Sequence, residues 1–115
     1  MTYVTGFVTP VKTVDRERYI ASAKAAAPLF KEYGALTQVE AWGDKVPDGT
    51  LTDFKRAVKA EADETVVLSW VTWPDKATAD AFETKMMSDP RFSELDMPFD
   101  GKRMIYAGFE TIFEA

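Results

Sequence analysis

A chain of 115 residues with ordinary apolar (46%) and charged (29%) fractions is one globular domain, 1–115, and too short for two. Its net charge of −5, with basic residues scattered among acids, argues against nucleic acid, and no apolar run is long enough to span a membrane, so a cytoplasmic location is expected. The absence of both cysteine and histidine removes thiolate nucleophiles, zinc–thiolate sites, Ser-His-Asp chemistry and a proximal-histidine haem site from a single chain; no metal or other cofactor is expected.

Tyr3 to Val11 reads as a strand, with Tyr3, Thr5, Phe7 and Thr9 on one face, Val4, Gly6 and Val8 on the other, and Pro10 ending the ladder. Gly6 inside it implies a bulge or a close approach by another group. Asp15 to Tyr33 is predicted helical, capped by Thr13 or Asp15, with Ile20, Ala23, Ala27 and Phe30 at helical spacing and Gly34 as terminator. Pro28 lies within it; an interior proline costs about 3 kcal/mol, so a kink is expected between Lys24 and Pro28.

Ala35 to Gly43 is a second strand and Glu64 to Trp73 a third. The connection Asp44 to Asp63 is far longer than a hairpin needs, which makes it a lid, a binding loop or a dimer arm. Within it, Phe54 to Val58 reads as one helical turn or a small edge strand. Asp75 caps a second long helix whose buried face is Ala79, Phe82 and Met86. Asp89-Pro90 starts a further short turn, Arg91 to Leu95.

The final segment from Met97 opens with a turn at Pro98 to Gly101 and runs into a strand that is apolar on both faces. Ile105, Ala107, Phe109 and Phe113 point one way; Met104, Tyr106 and Ile112 point the other. The order strand, helix, strand, strand, helix, strand is the ferredoxin-like α+β arrangement, a four-stranded antiparallel sheet with both helices on one face. Helices shield only that face. Covering the other predicts a homodimer, two sheets packed face to face as a dimeric α/β barrel.

Tyr3-Val4-Thr5-Gly6-Phe7-Val8, Gly34-Ala35, Gly43-Asp44-Lys45-Val46-Pro47-Asp48-Gly49, Glu64-Thr65-Val66-Val67-Leu68-Ser69-Trp70 and Met97 to Glu110 resemble, in the same order, the YbaA-like bacterial family, domain of unknown function 1428. The resemblance implies a small cytoplasmic protein of the dimeric α/β-barrel class, with no established reaction and no catalytic residues to carry over. Thr5 stands where an acidic residue is frequent in that family, and Ala107 where a second glycine is.

Three constellations suggest chemistry. Asp44, Asp48 and Asp53 beside Gly49 superficially suggest a calcium loop, but their spacing misses the alternating oxygen ligands and closing glutamate, so they read as a solvated turn. Trp42 and Trp70, with Trp73 and Tyr106, either line a pocket for a flat organic ligand or fill the core and dimer interface. Asp100 and Arg103 are the most suggestive polar pair: Arg103 to clamp a carboxylate or enolate, Asp100 to accept a proton if burial raises its pKa. The bland alternative is a turn cap and an ion pair. Glu40 is a further carboxylate, which on an edge strand ordinarily guards against aggregation. No motif has catalytic spacing. The expectation is therefore a dimer that binds a small organic metabolite or a partner, with a cofactor-independent monooxygenase-like enzyme, acting on an aromatic or enolisable substrate, as the alternative.

Overall fold

The computed structural model describes all of residues 1–115. Strand β1 (Tyr3–Lys12) leads through a tight turn at Thr13–Asp15 into helix α1 (Arg16–Glu32) and strand β2 (Thr37–Trp42). The long connection carries α2 (Phe54–Ala57); then come β3 (Glu64–Trp73), α3 (Lys76–Ser88), α4 (Pro90–Ser93) and β4 (Ile105–Glu110). The strands lie in the order β2-β3-β1-β4, every pairing antiparallel, which is the ferredoxin-like topology.

Residues directly opposite in an antiparallel ladder share a face and successive residues alternate. The register Thr5↔Val71, Phe7↔Ser69 and Glu40↔Ser69 therefore puts Tyr3, Thr5, Phe7, Thr9 and Val11 on the side of Val67, Ser69, Val71 and Trp73. Both long helices cover this side. Val71 and Trp73 form a core with Ala79, Phe82 and Phe92, against which Leu29, Phe30 and Tyr33 of α1 pack. Phe82 is its hub, with ring centroids 4.9 Å from Trp73, 5.0 Å from Phe30 and 5.5 Å from Phe92. A second, separate cluster joins Val11 and Val67 to Tyr19 of α1.

The other face of the sheet has no helix. It presents Val4, Val8, Thr37, Val39, Ala41, Leu68, Trp70, Thr72, Ile105, Ala107 and Phe109, with charged side chains only at one end, where Lys12 pairs with Glu64 in the ladder. Gly6 sits in its middle without a bulge, and a methyl group there would meet the Phe109 ring at 3.4 Å, so the expected close approach is this aromatic ring. Pro10 and Val66, on the same face, are buried near the end where the long connection, carrying buried Val58, enters β3.

Several elements depart from the sequence reading. β1 passes through Pro10 to Lys12, because β4 pairs with it only as far as Val8 and beyond that β1 has a free edge, where a missing N–H leaves no broken ladder. Neither Thr13 nor Asp15 caps α1 with its side chain; the tight turn does so instead, with the Arg16 N–H donating to the Thr13 carbonyl. Pro28 lies inside α1 as expected, and the helix runs on to Glu32. Met86 is exposed, while Ala79 and Phe82 are buried as expected. β4 stops at Glu110, so Ile112 and Phe113 lie beyond the strand and Met104 precedes it. The segment Phe54 to Val58 is a helical turn, capped by Asp53.

Asp53 also closes the long connection. Its carboxylate accepts from the amides of Gly49 (3.1 Å) and Arg56 (2.7 Å) and pairs with the Arg56 guanidinium (2.9 Å). These bonds hold its pKa down at about 2. Asp48 turns to Lys55 and Asp63 to Lys12, so three acids of this loop, Asp48, Asp53 and Asp63, are engaged by lysine and arginine.

Two outcomes test this architecture. Phe82→Ala should lower the unfolding free energy by about 3–5 kcal/mol in urea denaturation, since it empties the hub of the larger core. Gly34, at φ 103°, ends α1 where an added Cβ would lie 2.8 Å from Thr78 Cγ2; Gly34→Ala should cost about 1–3 kcal/mol, and an unchanged midpoint would contradict the left-handed terminus. For the loop, the Asp53 contribution is complete above its unfolded pKa of 3.8 and lost as pH falls through about 2. The Gly49 and Arg56 amide resonances should therefore titrate together in that low range; a shared midpoint at the ordinary carboxyl value would mean the loop is open.

Candidate functional site

The helix-covered side of the sheet is apolar at its two ends and polar between them. Ser69 and Thr9 are buried in the middle, and edge strand β2 adds Gln38 and Glu40 on the same face. Tyr19 of α1, itself buried, donates its hydroxyl to Glu40 Oε1 at 2.5 Å. The Gln38 amide donates to Glu40 Oε2 at 3.2 Å, and its own oxygen is buried with no donor. Burial, with the hydrogen bond to Glu40 in second place, raises the Tyr19 pKa far above its ordinary value against a smaller opposing effect of Ser69. Tyr19 thus keeps its proton at neutral pH and is fixed as a hydrogen-bond donor.

Beside this cluster runs an open cleft of about 330 Å³ between α1 and β2, a volume suited to a small organic molecule. Ile20, Ala23, Ala27 and Phe30 form its helical wall, Gln38 and Glu40 its strand wall, and Lys24 and Lys31 also border it. The wall residues are the stripe that recurs at helical spacing in the sequence. All four are half-buried: Phe30 also reaches the aromatic core, while the buried positions of α1 are Tyr19 and Ala26.

The five residues singled out from sequence occupy three places. Trp42 shares its strand face with Gln38 and Glu40, packs against the cluster of Val11, Tyr19 and Val67, and has the Arg16 guanidinium carbon 5.8 Å from its ring centroid. Trp70 pairs with Gly6 and Val39, so it lies on the opposite, helix-free face. Tyr106 is on the helix side but at the far edge, stacked on Phe7 at 6.1 Å and 60% exposed. The pleat and the strand order keep these three rings from one pocket.

Asp100 and Arg103 do meet, at 2.9 Å, and Asp100 accepts the Lys102 amide as a turn cap. Arg103 forks onto Glu64 with two bonds of 2.7 Å and donates to the Lys59 carbonyl at 2.9 Å. The Glu64 side chain is 4% exposed. The guanidinium therefore ties the turn before β4 to the start of β3 and to the end of the long connection. It also lowers the carboxyl pKa of Glu64 and of Asp100, the reverse of the elevation a proton-accepting Asp100 requires.

Sequence reasoning missed Tyr19, Gln38 and Ser69. A signal was present: inward positions of a strand that should bury apolar groups carry Gln38 and Glu40 in step with Trp42, and Ser69 interrupts Val67 and Val71. Tyr19 had no such mark, since its partner is remote in sequence.

Fold and cleft together define a ferredoxin-like α+β protein with one helix-covered and one uncovered sheet face. The chain belongs to the family DUF1428, described as a protein of unknown function, which matches residues 2–101. It is 56% identical over 116 residues, covering 99% of both chains, to the uncharacterized protein YbaA of Escherichia coli strain K12 and equally to that of Shigella flexneri. A crystal structure of a dimeric ferredoxin-like protein from an uncultured marine organism covers the whole of both chains with a TM-score of 0.63 at 16% identity, a likeness of fold.

Arg103→Ala should lower the melting temperature, and adding Glu64→Gln to it should cost little more, because the two residues share one interaction. The Glu64 contribution is present above its unfolded pKa and is lost as pH falls through the lowered folded value. Additive losses in the double variant would show that the pair acts separately.

Proposed function

We propose that the protein is a homodimer that binds a small organic molecule in the cleft between α1 and β2. The ligand reading is carried by the Tyr19–Glu40–Gln38 cluster. Glu40, exposed on edge strand β2, has its carboxylate oriented by two donors beside an open groove. The five expected residues enter this reading unequally: Trp42 closes the end of the same strand face, whereas Asp100 and Arg103 serve the structure.

The dimer reading rests on the apolar centre of the uncovered sheet face. Leu68, Ile105 and Phe109 are 42%, 46% and 57% exposed there, beside Trp70. An apolar patch, with Lys12 and Glu64 only at its end, is complementary to itself, which suits a two-fold contact. That the marine ferredoxin-like structure is described as dimeric supports the same arrangement. The long connection is bonded back onto its own chain through Lys12–Asp63, Thr13–Asp63 and Arg103–Lys59, which favours a folded loop over an arm reaching across.

Sedimentation at micromolar concentration should show a dimer, and Leu68→Glu, which places two like charges in the contact, should dissociate it by on the order of 100-fold or more. A monomeric parent protein would remove the two-sheet arrangement. For the cleft, a metabolite-library thermal-shift screen should find compounds that stabilise the parent and lose their effect in Glu40→Gln, with Arg103→Lys retaining it. Stabilisation that survives Glu40→Gln and vanishes in Arg103→Lys would move the site to the Arg103 turn.

A further inference from the structure

Past β4 the chain runs on through residues 111–115, where Ile112 and Phe113 are 87% and 81% exposed. A lone apolar side chain in solvent is ordinary, but these two are adjacent and their flanks are fixed. Thr111 is bonded twice to Thr2: its N–H donates to the Thr2 carbonyl at 3.2 Å, and its hydroxyl accepts from the Thr2 hydroxyl at 2.9 Å. Glu114 lines an open hollow with Thr2 and Pro74, where β1 begins and β3 has ended. The segment is thus held against the end of its own sheet on either side of two large apolar groups left in solvent.

This prominence borders the uncovered sheet face. Ile105, Ala107 and Phe109 form an exposed apolar row along β4 on that face, and Ile112 and Phe113 continue it past the end of the strand. The strands of the sheet are six to ten residues long. At about 4.8 Å between strands and about 3.3 Å per residue, the face projects to about 500 Å². A stable contact draws about 800 Å² of accessible surface from each partner. Flush stacking of two such faces supplies less, the more so because Lys12 and Glu64 occupy one end. Surface bordering the sheet therefore has to join the contact, and at the end opposite those charges it is Ile112 and Phe113.

Building on the homodimer reading above, we infer that Ile112 and Phe113 of each copy pack onto the uncovered sheet face of the other, completing the contact in trans. A two-fold axis supplies the second knob from the same two residues and doubles the added area. The occupant is a second copy because knob and sheet row are one continuous apolar surface, so whatever covers the row also meets the knob.

The test uses the full chain. Sedimentation should give Ile112→Ser/Phe113→Ser a dimer dissociation constant on the order of 100-fold above that of the parent, with the strand amide resonances kept. Met87→Ser, which removes a similarly exposed apolar group (86%) from α3 in the helix layer, should leave the constant unchanged. The chain has no cysteine, so Ala115→Cys offers a single attachment point for a nitroxide. Mixed with isotope-enriched chain that carries no nitroxide, it should broaden amides of the sheet strands in that partner. An unchanged constant in the double variant, an equal loss in Met87→Ser, or no broadening of the partner's strands overturns the packing in trans and leaves the homodimer standing. A parent protein that sediments as a monomer removes both.

Discussion

A four-stranded sheet has two faces, and the two long helices of this chain cover one. Everything else in the structure answers to that imbalance. On the covered side, Phe82, Trp73 and Phe30 build an aromatic core that fastens α1 and α3 to the central strands. Each large apolar side chain buried there contributes about 1.5–3 kcal/mol, so this layer carries most of the favourable free energy of the fold. On the uncovered side, Leu68, Trp70 and Phe109 are as apolar as a core and are left to solvent by the single chain. The surface alone makes a second copy the economical cover.

The covered layer is itself divided. Its two apolar clusters share no member, and between them lie Ser69, Thr9, Glu40 and Gln38 with the Tyr19 hydroxyl. Placing polar groups in such a layer is unfavourable unless each is partnered, and the exception is the Gln38 oxygen. A fold optimised only for stability would fill this seam with aliphatic side chains. The rotation of α1 that turns Tyr19 inward also leaves Ile20, Ala23 and Ala27 half-open along the groove. The cleft and the hydrogen bond to Glu40 thus have one structural origin.

The Arg103 cluster shows how a suggestive pair is absorbed by architecture. Arg103 and Asp100 are close in sequence and meet as expected, but the guanidinium is committed to Glu64 and the Lys59 carbonyl. Those partners lie 39 and 44 residues away, in the segment that the long connection delivers to the same end of the sheet. The connection is closed around Asp53, capped where it turns helical, and pinned by buried Val58. The twenty-odd residues that looked free in sequence are largely occupied in holding that end together.

Local rules read from the chain determined a great deal. Alternation located the strands, Asp75 and Asp89 marked helix starts, Gly34 marked a helix end, and the apolar Ile105, Ala107 and Phe109 of β4 announced an uncovered sheet. These signals are legible because capping, pleating and backbone conformation act over a few residues. Pro10 misled, because whether a missing N–H matters depends on how far a neighbouring strand extends. The stripe of Ile20, Ala23, Ala27 and Phe30 marked the helix, but its periodicity could not say that Phe30 reaches the core while the others line a groove. Tertiary structure alone decided that Trp42, Trp70 and Tyr106 fall on different faces and edges of the sheet, and that Tyr19 meets Glu40 across 21 residues. Both depend on strand register and helix rotation, which are set by the packing of all elements at once and leave no mark on any single segment.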